Sequence, residues 1–221
     1  MCIRDSYDAL GRTAYEARSE TMKLGNVGAG YGAEAGRIKG GLGSASAITH
    51  DKLTVGAMMA VNPLGAAVDA DMRLWAQESA LTIDGDLEFG TEALAARPPV
   101  RGHPLAGTKH GRRFVGGNTS IGVVAVDADL TKSEAERVAI MAQDGLARAI
   151  RPIHTPFDGD AIFVLATGDR PLDDETSPRA GRLALLGALA ADCVARAVGR
   201  AMWCAEDLGE MPCYRSLLKE Q

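Results

Sequence analysis

Apolar positions along the chain fall into a few compact runs separated by glycine-rich and polar stretches, and their spacing predicts the elements. Ile121–Val126 (IGVVAV) and Ala161–Ala166 (AIFVLA) are continuous apolar runs of strand length and read as buried strands. Between them, Thr131 opens Thr-Lys-Ser-Glu, a capping box with Glu134 at its third position. Apolar residues follow at helical spacing: Val138, Met141, Ala142, Leu146 and Ile150. Pro178 precedes a second helix over about Ala180–Met202 with a broad apolar face. Further upstream, Ser44–His50 and Leu53–Asn62 are β-prone runs separated only by Asp51 and Lys52, which predicts an antiparallel hairpin. Tyr7–Met22 has near-helical spacing, Gly25–Gly43 is too rich in glycine for regular helix, and Asp69–Asp86 is ambiguous. Leu94–Gly117 carries Pro98, Pro99 and Pro104 and reads as a long polar linker, a class that is usually functional or cleavable in a compact domain. Two strands, each followed by a helix, over a glycine-rich hairpin region predict one layered α/β domain across residues 1–221.

Composition narrows the function classes. The net charge of −5, with no basic stripe, argues against a nucleic-acid partner. Leu183–Val198 is apolar but is interrupted by Asp192 and Arg196 and is too short for a bilayer, so no membrane partner is expected. Residues Met1–Ser6 carry two charges and no apolar core, which is not a signal peptide; the expected location is cytoplasmic. The opening Met-Cys-Ile-Arg-Asp-Ser looks unrelated to the rest of the chain, as an N-terminal truncation would, and a targeting segment could have been lost with it. Cys2, Cys193, Cys204 and Cys213 form no C-x-x-C pair and read as reduced, mostly buried thiols. His50, His103, His110 and His154 show no ligand spacing, so neither a metal nor any other cofactor is expected. Gly28-Ala29-Gly30-Tyr31-Gly32 lacks both the pattern and the preceding strand of a dinucleotide-binding loop.

The segment that carries chemistry is Gly116-Gly117-Asn118-Thr119-Ser120, where the linker meets an apolar strand. A hydroxyl at the first position of a buried strand has a backbone held by the sheet and a side chain at an open edge. Attack of the Thr119 hydroxyl on the Asn118 carbonyl, helped by the flexible glycines before it, would form an ester. Hydrolysis of that ester would release a new amino terminus. An α-amine has an ordinary pKa near 8 and can serve as base to its own hydroxyl. Taken alone, Asn118-Thr119 reads more readily as a plain turn into a strand. Asp158 and Asp160 flank Gly159 just before the Ala161 strand, placed either to orient the hydroxyl and the new ammonium or as a solvated turn. Asn62 ends the second hairpin strand, where its amide could donate to an oxyanion. Lys39, set among glycines, could act electrostatically on the nucleophile or its amine; each of these residues also has a plain structural reading.

Together these segments resemble the P1 family of self-processing aminopeptidases and amidases, the L-aminopeptidase/D-esterase group. The resemblance runs through Gly25–Ala33, Lys39–Ser46, Leu53–Ala57, Val61-Asn62, Asn118–Asp127, Gly145–Asp160 and Phe163–Gly168, in the family's order. Within the group, Asn118-Thr119 with Asp158-Gly159-Asp160 looks closest to the nylon-oligomer (6-aminohexanoate-oligomer) hydrolases.

The resemblance implies a four-layer αββα sandwich of the N-terminal-nucleophile type, here missing its first strands. It implies self-cleavage into an α chain (1–118) and a β chain (119–221), with Thr119 as nucleophile and Asp158 and Asp160 as its orienting acids. Asn62 falls on the family's oxyanion asparagine and Lys39 near its catalytic lysine. The implied activity is hydrolysis of small peptides, amino-acyl amides or ω-amino-acid oligomers by a homo-oligomer of αβ units. The rival expectation is an unprocessed, catalytically silent homologue that serves as an assembly subunit.

Overall fold

In the computed structural model, residues 4–80, 82–83, 86–88, 103–110, 117–173 and 178–219 are described. Cys2 and most of the Leu94–Gly117 linker lie outside them. Helix α1 (Arg4–Glu16) is followed by irregular chain, so it ends before the Met22 that its spacing suggests. The glycine-rich stretch contains a single 3-10 turn at Gly28–Gly30 and a ribbon of β1 (Glu34–Ala35) with β2 (Ile38–Lys39). It leads into β3 (Gly41–Ile48), which forms the expected antiparallel hairpin with β4 (Thr54–Val61) in the register Ser44↔Met58. The ambiguous Asp69–Asp86 stretch holds a 3-10 turn at Trp75–Ser79 and, with Leu87, a short ribbon of β5 (Thr82–Ile83) and β6 (Asp86–Leu87).

The second half follows the predicted order closely: β7 (Ile121–Ala128), α2 (Lys132–Ala149), β8 (Ala161–Arg170), α3 (Arg179–Cys204) and the short α4 (Tyr214–Leu218). The capping box at α2 is complete. Thr131 accepts from the Glu134 N–H, and the Glu134 carboxylate accepts from the Thr131 N–H at 2.8 Å. Strands β3, β4, β7 and β8 form one sheet in that order; β4 pairs antiparallel with both β3 and β7, and β7 pairs parallel with β8.

Alternation along the strands puts Val55, Ala57, Met59 and Val61 of β4 on the helix-covered face with Val124 and Val126 of β7. Helices α2 and α3 bury Val138, Leu146, Leu186, Val194 and Met202 in the same core. Helix α3 lies directly on β3, because a Cβ at Gly43 would come 1.9 Å from the Ala197 carbonyl oxygen. The other face carries Met58, Val123 and Phe163 in one cross-strand row, beside Ile121 and Leu165. Phe163 is 60% exposed there and Leu165 59%. The α/β class holds, and the described residues provide one helix layer and one sheet layer of the expected sandwich. Among them no helix is long and apolar enough to cross a membrane.

Candidate active site

The sheet topology collects the candidate residues at one end. Strands β7 and β8 begin there, and β4, running the other way, ends there. The parallel pairing of β7 with β8 matches residues 40 apart, as in Ile121↔Ala161, and the bridge Asn118↔Asp158 keeps that offset upstream of both strands. Thr119 therefore lies opposite Gly159 and Ser120 opposite Asp160. The Thr119 N–H donates to the Asn62 carbonyl at 2.9 Å, so the residue after β4 is tied to the chain just before β7.

Thr119 is half-buried, and its hydroxyl donates to the carbonyl oxygen of Asn118, the residue before it. The same carbonyl accepts from the Gly159 N–H at 3.1 Å. The Thr119 hydroxyl thus touches the preceding peptide carbonyl, and a backbone donor is already placed on that carbonyl's oxygen. Gly159 is needed for this closeness, since a Cβ there would sit 3.0 Å from Thr119 Oγ1.

The two carboxylates are held, but not by Thr119. Asp158 Oδ1 accepts from the Leu64 N–H at 2.8 Å and Oδ2 from the Thr155 hydroxyl. Asp160 Oδ1 accepts from the Ser120 N–H at 2.7 Å, while Oδ2 faces the His154 N–H at 3.2 Å and His154 Nδ1 at 3.0 Å. Asp160 holds the chain just after Thr119, Asp158 holds the chain two residues beyond Asn62, and among the described residues neither carboxylate bonds to the Thr119 hydroxyl. His154 holds its contact from a left-handed backbone with φ of 56°, a conformation uncommon outside glycine.

Asn62 lies at the centre of the arrangement. Its Nδ2 donates to the Gly117 carbonyl at 2.6 Å, and its Oδ1 accepts from the Glu34 N–H and from Lys109 Nζ, each at 3.0 Å. Lys39 stands one peptide away. Its buried ammonium donates to the carbonyls of Gly30, Ala33 and Gly40 at 2.7–2.9 Å. The Ala33 carbonyl belongs to the same peptide as the Glu34 N–H on Asn62. Burial holds the Lys39 pKa below the usual lysine value, against the opposing attraction of Glu34. The fold thus gathers Asn62, Asn118, Thr119, Asp158 and Asp160, and links Lys39 to them indirectly.

Sequence reasoning missed Lys109, His154 and the Gly159 N–H. Lys109 sits within the polar linker, His154 lacks the spacing of a metal ligand and so draws no notice, and a backbone donor leaves no mark in composition. No group of three or more His, Cys, Asp or Glu among the described residues could hold a metal ion. A cavity of about 730 Å³ lined by Ala35, Ile38, Ala66, Trp75 and Arg151 lies nearby, but none of Asn62, Thr119, Asp158 or Asp160 lines it.

The sequence profile of peptidase family S58 matches residues 4–212, nearly the whole chain. The chain belongs to peptidase family S58. It is 42% identical to an uncharacterized aminopeptidase of Mycobacterium leprae, over 97% of this chain and 57% of that protein. It is 27% identical to the 6-aminohexanoate-oligomer endohydrolase of Paenarthrobacter ureafaciens, over 86% of this chain and 54% of that protein. The chain therefore spans between half and three-fifths of the length of these curated relatives. Among solved structures it resembles the L-aminopeptidase D-Ala-esterase/amidase of Ochrobactrum anthropi, a variant of the Ntn-hydrolase fold. There the TM-score is 0.57 at 26% identity, covering 91% of this chain and 50% of that one. The PH0078 protein of Pyrococcus horikoshii gives a TM-score of 0.60 at 25% identity, over 94% of this chain and 54% of that one.

Proposed function

We propose that this S58 chain is a self-processing amidohydrolase in which Thr119 first cuts its own chain and then serves as an N-terminal nucleophile. The observation that carries the reading is the contact of the Thr119 hydroxyl with the Asn118 carbonyl, whose oxygen the Gly159 N–H already bonds. Thr119 Oγ attacks the Asn118 carbonyl carbon, and the negative charge that develops on oxygen falls on the Gly159 N–H. The C–N bond breaks, the Thr119 nitrogen takes a proton, and Asn118 is left as an ester on Oγ. Water then adds to the ester and breaks the C–O bond, which leaves an Asn118 carboxylate, a free hydroxyl and a free α-amine on Thr119.

In turnover, that neutral amine takes the hydroxyl proton as Oγ attacks a substrate amide, and the proton passes to the departing amine. Water then releases the acyl group. Asp160 fixes the Ser120 N–H beside the nucleophile, Asp158 fixes the Leu64 N–H beyond Asn62, and Asn62 Nδ2 is the side-chain donor for the substrate oxyanion. Lys39 supports the site through the Ala33–Glu34 peptide. The products of cutting are an α chain of residues 1–118 and a β chain of residues 119–221, assembled as a cytoplasmic homo-oligomer of αβ units.

The substrates are small peptides, amino-acyl amides or ω-amino-acid oligomers. The names of the Mycobacterium leprae and Paenarthrobacter ureafaciens relatives both denote hydrolysis of an amide bond, which supports this class. The test is an intact mass and a denaturing gel of C-terminally tagged protein beside Thr119→Ala. Two fragments split before Thr119 in the parent, one uncut chain in the variant, and turnover of an amino-acyl amide or a 6-aminohexanoate oligomer are expected. An uncut, inactive parent would refute the reading and favour a silent assembly subunit.

A further inference from the structure

Two donors reach Asn62 Oδ1 and one carbonyl faces its Nδ2, so the direction of the carboxamide is set by its neighbours. Flipped, it would turn its NH2 group toward the Lys109 ammonium and the Glu34 N–H, and its oxygen toward the Gly117 carbonyl. Lys109 is only 7% exposed, and its own N–H donates to the Leu64 carbonyl at 3.0 Å, which anchors the stem of the side chain. Its ammonium makes a second contact, 3.4 Å from the Asn62 carbonyl oxygen. That same oxygen accepts from the Thr119 nitrogen at 2.9 Å.

We propose that Lys109 is a positioning residue of this site: its ammonium locks the Asn62 carboxamide with Nδ2 toward the Gly117–Asn118 end and, through the shared Asn62 carbonyl, stands beside the Thr119 nitrogen. The proposal rests on the reading of Thr119 as a self-released nucleophile. It has two consequences. Departure of the Gly117–Asn118 end frees Nδ2–H groups that are already aimed, so the donor needs no reorganisation when a substrate carbonyl arrives. The nitrogen that cutting turns into an amine has a fixed positive neighbour, and a like charge disfavours its protonation, so more of it is available as base near neutral pH.

Among the described residues, the other charged groups around that nitrogen are Asp158, Asp160 with His154 on it, and Glu34 with Lys39 on the ribbon of β1 and β2. The carboxylates favour the ammonium form and Lys109 opposes them. The contribution of Lys109 is therefore read as a difference between variants.

The experiment uses Lys109→Met and Lys109→Arg in two settings. In the Thr119→Ala chain, which stays uncut whether or not the parent matures, the Asn62 carboxamide signal is assigned by its loss in Asn62→Asp. Hydrogen exchange at Nδ2 is then measured by NMR. Exchange at least about tenfold faster with Lys109→Met, and within about threefold of the parent with Lys109→Arg, is expected for a lost and a retained charged hydrogen bond. Unchanged exchange with Lys109→Met overturns the hold on Asn62.

In the processed protein, kcat/KM for an amino-acyl amide is followed against pH. The acid limb should move up by about 1 pH unit with Lys109→Met, while KM changes little. An unmoved limb overturns the electrostatic role. Failure of the parent to cut or turn over would count against the nucleophile reading, and the exchange measurement would still decide whether Lys109 holds Asn62.

Discussion

Gly159→Ala puts the proposed maturation step under direct strain with the smallest possible change. The added methyl carbon would lie 3.0 Å from Thr119 Oγ1, with Thr119 Cγ2 at 3.7 Å and Cβ at 3.9 Å. Ordinary contact between a methyl carbon and a hydroxyl oxygen begins at about 3.4 Å, so the hydroxyl must retreat by roughly 0.4 Å. Misplacing a reacting atom by about 1 Å can cost on the order of 100-fold in rate, or about 2.7 kcal/mol of barrier. A proportional share for 0.4 Å is about 1 kcal/mol, or five- to tenfold slower cutting at Asn118–Thr119. The Gly159 N–H is retained, and φ at Gly159 is outside the left-handed region, so the backbone tolerates alanine. The assay is a gel and intact-mass time course of freshly synthesised chain, with Gly181→Ala as control because a Cβ there meets nothing within 4 Å. A Gly159→Ala chain that folds with an unchanged melting temperature and matures at the parent's rate would refute the argument that this contact sets the attack geometry.

Four other outcomes are expected from the same set of contacts. Gly43→Ala forces a methyl against the Ala197 carbonyl at 1.9 Å and must push α3 off β3, a loss of about 3 kcal/mol or more, measured by urea unfolding. Ser120→Ala removes a fully buried hydroxyl with no hydrogen-bond partner among the described residues and should raise stability by about 1 kcal/mol in the same measurement; a lower midpoint would mean the hydroxyl is satisfied. Asn62→Asp keeps both acceptor contacts at Oδ1 but turns a carboxylate oxygen toward the Gly117 carbonyl, so the chain should fold yet lose on the order of 100-fold in amide turnover. Glu134 is held down to about 2, first by the Arg179 guanidinium and then by Thr131. Its folded pKa lies below the unfolded 4.5, so its stabilisation is present above pH 4.5 and fades as pH falls toward 2. The melting temperature of Glu134→Gln should therefore depend less on pH across that window than the parent's.

The elements of the second half were legible in the chain because each is specified locally. The Thr131–Glu134 capping box is complete within four residues, and the apolar runs at Ile121 and Ala161 both form strands, but the buried strand expected at Ala161–Ala166 is instead the edge strand of the described sheet, where only Ile162 is buried. The hairpin of β3 and β4 was legible for the same reason, since only five residues separate the two strands. Helix α1 ends at Glu16, although the near-helical spacing runs on to Met22.

The site was legible mainly as residue types at strand ends: Thr119 before β7, Asp158 and Asp160 before β8, Asn62 after β4. What the sequence by itself could not decide is how those ends meet. The offset of 40 between β7 and β8 sets Thr119 against Gly159, and the antiparallel return of β4 brings the Asn62 carbonyl to the Thr119 nitrogen. Lys109 reaches Asn62 across 47 positions of chain, and His154 reaches Asp160 from a left-handed turn. Local propensity and periodicity act over a few residues and so determine elements. Hydrogen-bond partners, and the satisfaction of a buried ammonium or carboxylate, depend on which distant segments the sheet register places side by side, and only the tertiary structure decides that.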